Sequence, residues 1–309
     1  MNQGWVYQER VKQSAAGKTV LDYYSQTYRH SSLTQWQARI KTGQIRLNGQ
    51  LTSSQTILKS GDKLAYHRPP WQEPKAPLNF SIIYQDQDIL AIAKPAGLPV
   101  LPGGGFLENT VLFQLKKLYP ESTPVPIHRL GRGTSGLLLL ARSQLAKSHL
   151  SEQMRGNYGQ KNQKTLIQKI YRALIPGNSI PDNLTIDLPI GKIPHPTLGY
   201  IYASTPQGKF AYSQVKVIQR TPENTIVEVN ILTGRPHQIR IHLAAVGYPL
   251  VGDNLYTRGG KVQIFSHSSQ DNPVPGDCGY LLHAYRLSFL HPRTEKLIQL
   301  VAPAPAQLI

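Results

Sequence analysis

The stretch Ile127-His128-Arg129-Leu130-Gly131-Arg132-Gly133-Thr134-Ser135-Gly136-Leu137-Leu138-Leu139-Leu140-Ala141 admits two readings. Its centre, Gly131 to Gly136, matches the G-x-G-x-x-G dinucleotide fingerprint, and Glu152 follows about 20 residues on. That fingerprint needs a helix to open within the glycines, so that a pyrophosphate meets the helix N-terminus. Here the glycines run into Leu137–Ala141, a short unbroken apolar run that a buried strand explains better. The stretch reads as a loop entering a strand. A dinucleotide-binding oxidoreductase is left as a remote alternative.

Working outward, Phe80–Tyr84 and Ile89–Ala93 flank the turn Gln85–Asp88 and read as a hairpin. Ile170–Ile175, Thr225–Leu232 and Leu281–Phe289 read as further strands. Val111, Leu112, Leu115 and Leu118 fall at helical spacing, and Pro236 suits the first turn of a helix with the stripe Ile239, Leu243 and Val246, ended by Gly247. Hairpins with scattered helices and no regular βαβ rhythm predict an α+β domain on a mixed or antiparallel sheet. This domain is expected over 78–309. Ahead of it, residues 67–77 carry Pro69, Pro70, Pro74 and Pro77, a stiff linker by composition. Residues 1–66 form a small α/β module. In it, Leu33–Lys41 reads as a helix closed by Thr42-Gly43, and Ile45-Arg46-Leu47 meets the hairpin turn Asn48-Gly49. Arg39, Lys41 and Arg46 gather near that junction.

The chain has 309 residues, with 34 Lys and Arg against 17 Asp and Glu, a formal net charge of +17. Such an excess attracts polyanions, because each cation placed on a phosphate releases a condensed counterion. The basic residues, Lys161, Lys164, Arg155 and Arg172 among them, are spread along the chain rather than gathered in a tail. The single cysteine, Cys278, excludes an intramolecular disulfide framework and a Cys-cluster metal site. His237 and His242 lack the spacing and the acidic third ligand of a zinc site, so no metal is expected. No apolar stretch approaches the ~20 residues that span a bilayer. A cytoplasmic protein with no membrane contact is the expectation.

In longer context the opening stretch resembles the signature loop and strand of the RluA-type RNA pseudouridine synthases. Three further segments agree in order: Ala93-Lys94-Pro95-Ala96-Gly97-Leu98-Pro99-Val100, then Lys169-Ile170-Tyr171-Arg172-Ala173-Leu174, then Leu232-Thr233-Gly234-Arg235-Pro236-His237-Gln238-Ile239-Arg240-Ile241-His242-Leu243 with Gly247–Asp253. The N-terminal module resembles the αL-type RNA-binding domain of a ribosomal protein. The resemblance implies a pseudouridine-synthase-like fold, a monomer, structured RNA (rRNA or tRNA) as partner, no cofactor, and isomerisation of uridine to pseudouridine. It implies that the target base is flipped from its stack. A loop aspartate then attacks the ribose, a tyrosine at Tyr171 stacks on the base and takes its proton, and an arginine at Arg240 pairs with the aspartate. His128, Arg129, Arg132, Thr134, Arg235, His237 and Gln238 are expected to face RNA, with Arg39, Lys41 and Arg46 of the small module.

The aspartate's position is held by Gly131. Glycine has no side chain to attack with, and without that carboxylate Arg240 is expected to lose its charge-assisted partner. The Gly252-Asp253 pair is expected to form a turn or cap rather than a relocated nucleophile. Two outcomes stay open from sequence: an active synthase, or an RNA-binding descendant without catalysis.

Overall fold

The computed structural model describes residues 1–155, 167–196, 199–264 and 277–309. Lys161, Lys164 and much of the polar stretch 257–279 lie outside the described residues. Two units divide the chain, Met1–Glu73 and Pro74–Ile309.

In the first unit, β1 (Trp5–Arg10), α1 (Val20–Thr27), α2 (Leu33–Lys41), β2 (Ile45–Leu47), β3 (Gln50–Leu51) and β4 (Lys63–Arg68) follow one another. The sheet order is β1-β4-β2-β3. A capping box opens α2: Ser32 accepts from the Gln35 amide while the Gln35 side chain accepts from the Ser32 amide. Asn48 at φ 52° and Gly49 at φ 84° make the β2–β3 turn with both central residues left-handed, as a tight primed hairpin requires. Trp36, Ile40, Ile45 and Leu64 are buried between helices and sheet. β4 takes in His67 and Arg68, and the Trp71 amide donates to Asn2 Oδ1 at 3.1 Å, which holds the first proline-rich residues within this unit.

The second unit contains β5 (Ser81–Gln85), β6 (Ile89–Lys94), α3 (Val111–Leu118), β7 (Val125–Pro126), β8 (Ser135–Ala141), α4 (Gln144–Arg155), β9 (Gln168–Pro176), β10 (Asn183–Ile186), β11 (Ile190–His195), β12 (Gly199–Ser204), β13 (Ser213–Arg220), β14 (Asn224–Ile231), α5 (Gln238–Ala245), β15 (Tyr256–Thr257), β16 (Lys261–Val262), β17 (Leu282–Leu290) and β18 (Leu297–Val301). Among the described residues one sheet of 10 strands dominates, ordered β10-β13-β14-β9-β17-β8-β6-β5, with β18 on β17 and β7 on β8. Its pairs are antiparallel except β17 with β8, which run parallel at His283–Ser135 and Ala284–Gly136. The fold is α+β on a mixed sheet.

The decisive glycines lead into β8, not into a helix. Gly136 sits at φ 105°, and a Cβ there would overlap the Ala284 carbonyl oxygen. The third glycine of the apparent fingerprint thus serves the approach of two strands. Two cores result. One packs β6 and β8 against Val111 and Leu115 of α3 and Ala146 and Leu150 of α4. The other packs Ala173, Ile175, Val227 and Val229 against Ile239 and Leu243 of α5. The expected first turn at Pro236 is corrected: α5 begins at Gln238, and His237, left-handed at φ 55°, stands at the position before it without a side-chain capping bond. The Gln238 carboxamide holds the preceding turn by accepting from the Arg235 amide at 3.0 Å, leaving Pro236 ahead of the helix.

Candidate active site

The loop before β8 is anchored from below. Lys94, at 1% exposure, donates through Nζ to the carbonyls of Pro95 (2.8 Å), Leu98 (2.8 Å) and Arg132 (3.1 Å), and the Gly97 amide donates to the same Arg132 carbonyl at 2.8 Å. Burial pulls the Lys94 pKa down to about 7. Lys94 is the clamp that fixes the loop's shape. At the loop's start, His128 Nε2 accepts from the Leu139 amide at 3.0 Å, and burial holds the imidazole neutral with a pKa of about 4.

From above, the segment Asp277–Tyr280 lies directly on the loop. The Gly133 amide donates to the Asp277 carbonyl at 3.1 Å, Arg132 Nε donates to Asp277 Oδ2 at 3.0 Å, and the Thr134 and Tyr280 hydroxyls share a hydrogen bond of 3.2 Å. A Cβ on Gly131 would stand 2.8 Å from the Tyr280 hydroxyl; one on Gly133 would stand 2.8 Å from the Asp277 carbonyl and 2.9 Å from Tyr280 Cζ. Gly133 leaves room for the backbone of this segment, and Gly131 for the Tyr280 hydroxyl.

Tyr280 also joins the loop to α5. The Arg240 guanidinium lies 4.0 Å from the centre of the Tyr280 ring and 5.0 Å from that of Tyr256. Its Nε and Nη2 donate to Asp253 Oδ2 at 2.7 Å and Oδ1 at 2.8 Å. The expectation that Arg240 lacks a partner is corrected: Asp253 takes that place, as a planar two-point match. Asp253 caps its turn as well, because Oδ1 also accepts from the amides of Leu255 and Tyr256 at 3.0 and 3.1 Å.

Residues 88–245 match the family described as RNA pseudouridylate synthase. A Synechocystis sp. protein described as an uncharacterized RNA pseudouridine synthase is 49% identical over 94% of this chain and 95% of its own length. The chain belongs to the RNA pseudouridine synthase family. RNA pseudouridine synthase 5 of Oryza sativa subsp. japonica is 41% identical, covering 98% of this chain and 88% of that one. Among solved structures, human RNA pseudouridylate synthase domain containing 1 is similar with a TM-score of 0.54 and 25% identity, covering 77% of this chain and 89% of that one.

In this family member, the residues expected to face RNA divide. Arg129 is exposed on the loop, and Lys41 and Arg46 are exposed on the first unit. Arg39 there donates to Ser31 Oγ at 2.8 Å and lies over the Trp36 and Tyr66 rings. Arg235 Nε donates to the Phe210 carbonyl at 2.9 Å. Four more make contacts within the fold. Arg132 is buried and engaged with Asp277, and Thr134 is buried against Tyr280. Gln238 is buried: its oxygen accepts from the Thr233 hydroxyl and the Arg235 amide, while its nitrogen donates to the Tyr212 carbonyl and Ser213 Oγ. That leaves its carboxamide nothing to offer RNA. His128 serves the β8 backbone, as described above.

His237 Nδ1 lies 2.8 Å from the Tyr256 hydroxyl, which donates its own proton to the Tyr202 carbonyl at 2.8 Å. The histidine must therefore donate from Nδ1. Burial keeps it neutral, with a pKa of about 4. Tyr171 of β9 pairs across to Ala284 and Val229, packs against both cores, and has its phenol pushed up to about 12 by burial.

Sequence reasoning missed Asp277, Tyr280 and Tyr256. Tyr280 is 146 residues from its partner Thr134, and no local periodicity carries a contact of that range. The usable signal was the pair of glycines at 131 and 133, where missing side chains imply something packed in their place.

Proposed function

We propose that the protein isomerises uridine to pseudouridine in structured RNA, rRNA or tRNA. The observation that carries this reading is Tyr280: its ring lies on Arg240 and its hydroxyl meets the signature loop, so the loop and the arginine helix form one site. The reaction is redox-neutral. The bond from ribose C1′ to N1 breaks, a bond from C1′ to C5 forms, C5 gives up a proton and N1 gains one. Tyr171, neutral at physiological pH, serves as an apolar face for the base; a phenolate acting as base at that position is disfavoured by its burial. Asp253 is a poor nucleophile, with a fully buried side chain and its oxygens engaged by Arg240 and two amides.

The test is to compare RNA from cells with and without the protein by mass spectrometry, and to incubate the purified protein with the RNA from the deletion. One or a few pseudouridines are expected to be lost in the deletion and restored in vitro. If every site persists and the purified protein modifies nothing, the reading fails. A second reading, a non-catalytic RNA platform, is favoured by one observation, the absence of a side chain at Gly131, and that same negative result would support it.

A further inference from the structure

Position 131 carries no carboxylate, and one from a distant segment lies against the same loop. Gly131 and Gly133 leave room for residues 277–280, since a Cβ at either position would fall within 3 Å of this segment. The seated segment delivers the Asp277 carboxylate to the residue adjoining Gly131, 3.0 Å from Arg132 Nε. This carboxylate differs from Asp253 in being reachable: its side chain is 21% exposed, against 0% for Asp253. It also lies within the field of the Arg240 and Lys94 cations, with Arg132 nearest and the Cys278 thiol beside it.

We propose that Asp277 is the catalytic carboxylate of this protein, replacing the one that position 131 cannot supply. The proposal rests on the synthase reading above. Arg132 holds Oδ2, so the attack is assigned to Oδ1. A bond forms from Asp277 to ribose C1′ as the C1′–N1 bond breaks, and its electron pair leaves with uracil as the N1 anion. After the base turns, C5 attacks C1′, and the ester bond returns its pair to Asp277. C5 then gives its proton to solvent and N1 takes one up. No oxidant or cofactor enters. Burial raises the Asp277 pKa, countered chiefly by Arg132 and then by Arg240 and Lys94. The net rise suits a nucleophile that must ionise yet stay reactive.

The experiment uses purified full-length protein and RNA from the deletion strain. It measures pseudouridine formation, RNA affinity and thermal unfolding for wild type, Asp277→Asn and Asp277→Glu. Asp277→Asn is expected to slow modification by roughly 1000-fold or more while RNA affinity stays within about twofold. Asp277→Glu is expected to recover part of the rate and to move the acid limb of the pH–rate profile, which a purely structural partner of Arg132 would not do. Should Asp277→Asn fail to fold, the double variant Arg132→Gln with Asp277→Asn removes both charges and is assayed in its place. An active wild type with an equally active Asp277→Asn overturns this proposal alone. An inactive wild type overturns it together with the synthase reading.

Discussion

Arg240 and Asp253 hold each other through two parallel hydrogen bonds of 2.7 and 2.8 Å, with side chains 2% and 0% exposed. A pair so enclosed is costly to break, because the partner left behind is a buried charge without compensation. Asp253→Asn is expected to lower stability by about 3–5 kcal/mol in denaturant unfolding. A relocated nucleophile would give the opposite signature: lost activity at unchanged stability.

Restoring the family's carboxylate with Gly131→Asp does not simply restore the site. The new Cβ meets the Tyr280 hydroxyl at 2.8 Å, and Tyr280 is pinned by Thr134 and by Arg240 over its ring. Gly131→Asp is expected to cost about 1–3 kcal/mol, as overpacking does. Combining it with Tyr280→Phe, which removes the obstructing oxygen, is expected to recover part of that loss. A double-mutant cycle read by thermal unfolding checks this; additive costs would show that the two positions do not touch.

His128 and Arg129, neighbours in sequence, are expected to separate in experiment. His128→Ala leaves the Leu139 amide without its acceptor and should cost about 1–3 kcal/mol of stability, with the salt dependence of RNA binding unchanged. Arg129→Ala, at an exposed position, should leave stability alone and reduce the slope of log affinity against log salt by about 1. Filter binding over a salt series, paired with unfolding curves, distinguishes the two.

Asp88 is expected to make the fold sensitive to acid. Arg293 donates to it from Nε at 2.7 Å and Nη2 at 2.9 Å, and Ser143 Oγ donates at 2.6 Å. The Arg293 hydrogen bond, the largest cause, helps hold the carboxyl at about 2, below its ordinary 3.8. A depressed carboxylate stabilises the fold fully above its unfolded pKa, and that contribution is lost as pH falls from about 4 towards 2. The melting temperature of Asp88→Asn should therefore be lower at neutral pH and vary less than that of wild type across this interval.

Local chemistry was legible in the sequence and long-range packing was not. The helix Leu33–Lys41 and the Asn48-Gly49 turn follow from caps and turn residues, and Leu137–Ala141 from an unbroken apolar run. Arg240 could have been a surface cation by spacing alone. It is buried because α5 is enclosed nearly all round, with Gln238 through Ala244 all buried, so no polar stripe marks an outer face. Asp277 sits in a stretch with no periodicity, 145 residues from the arginine it meets. Its partner becomes visible only once the sheet brings β17 beside β8.

That adjacency has a consequence for synthesis. β17 is the strand between the β9 half of the sheet and the β8 half, and it meets β8 through two register pairs, at Ser135 and Gly136. A ribosome-bound chain that has not yet exposed residues 282–290 can build two separate hairpin assemblies but no continuous sheet. The signature loop then lacks its cover and Arg240 lacks the Tyr280 ring. The earliest-made motifs wait for one of the last strands, so a nascent or C-terminally cut chain carries the recognisable sequence of the family without the assembled site.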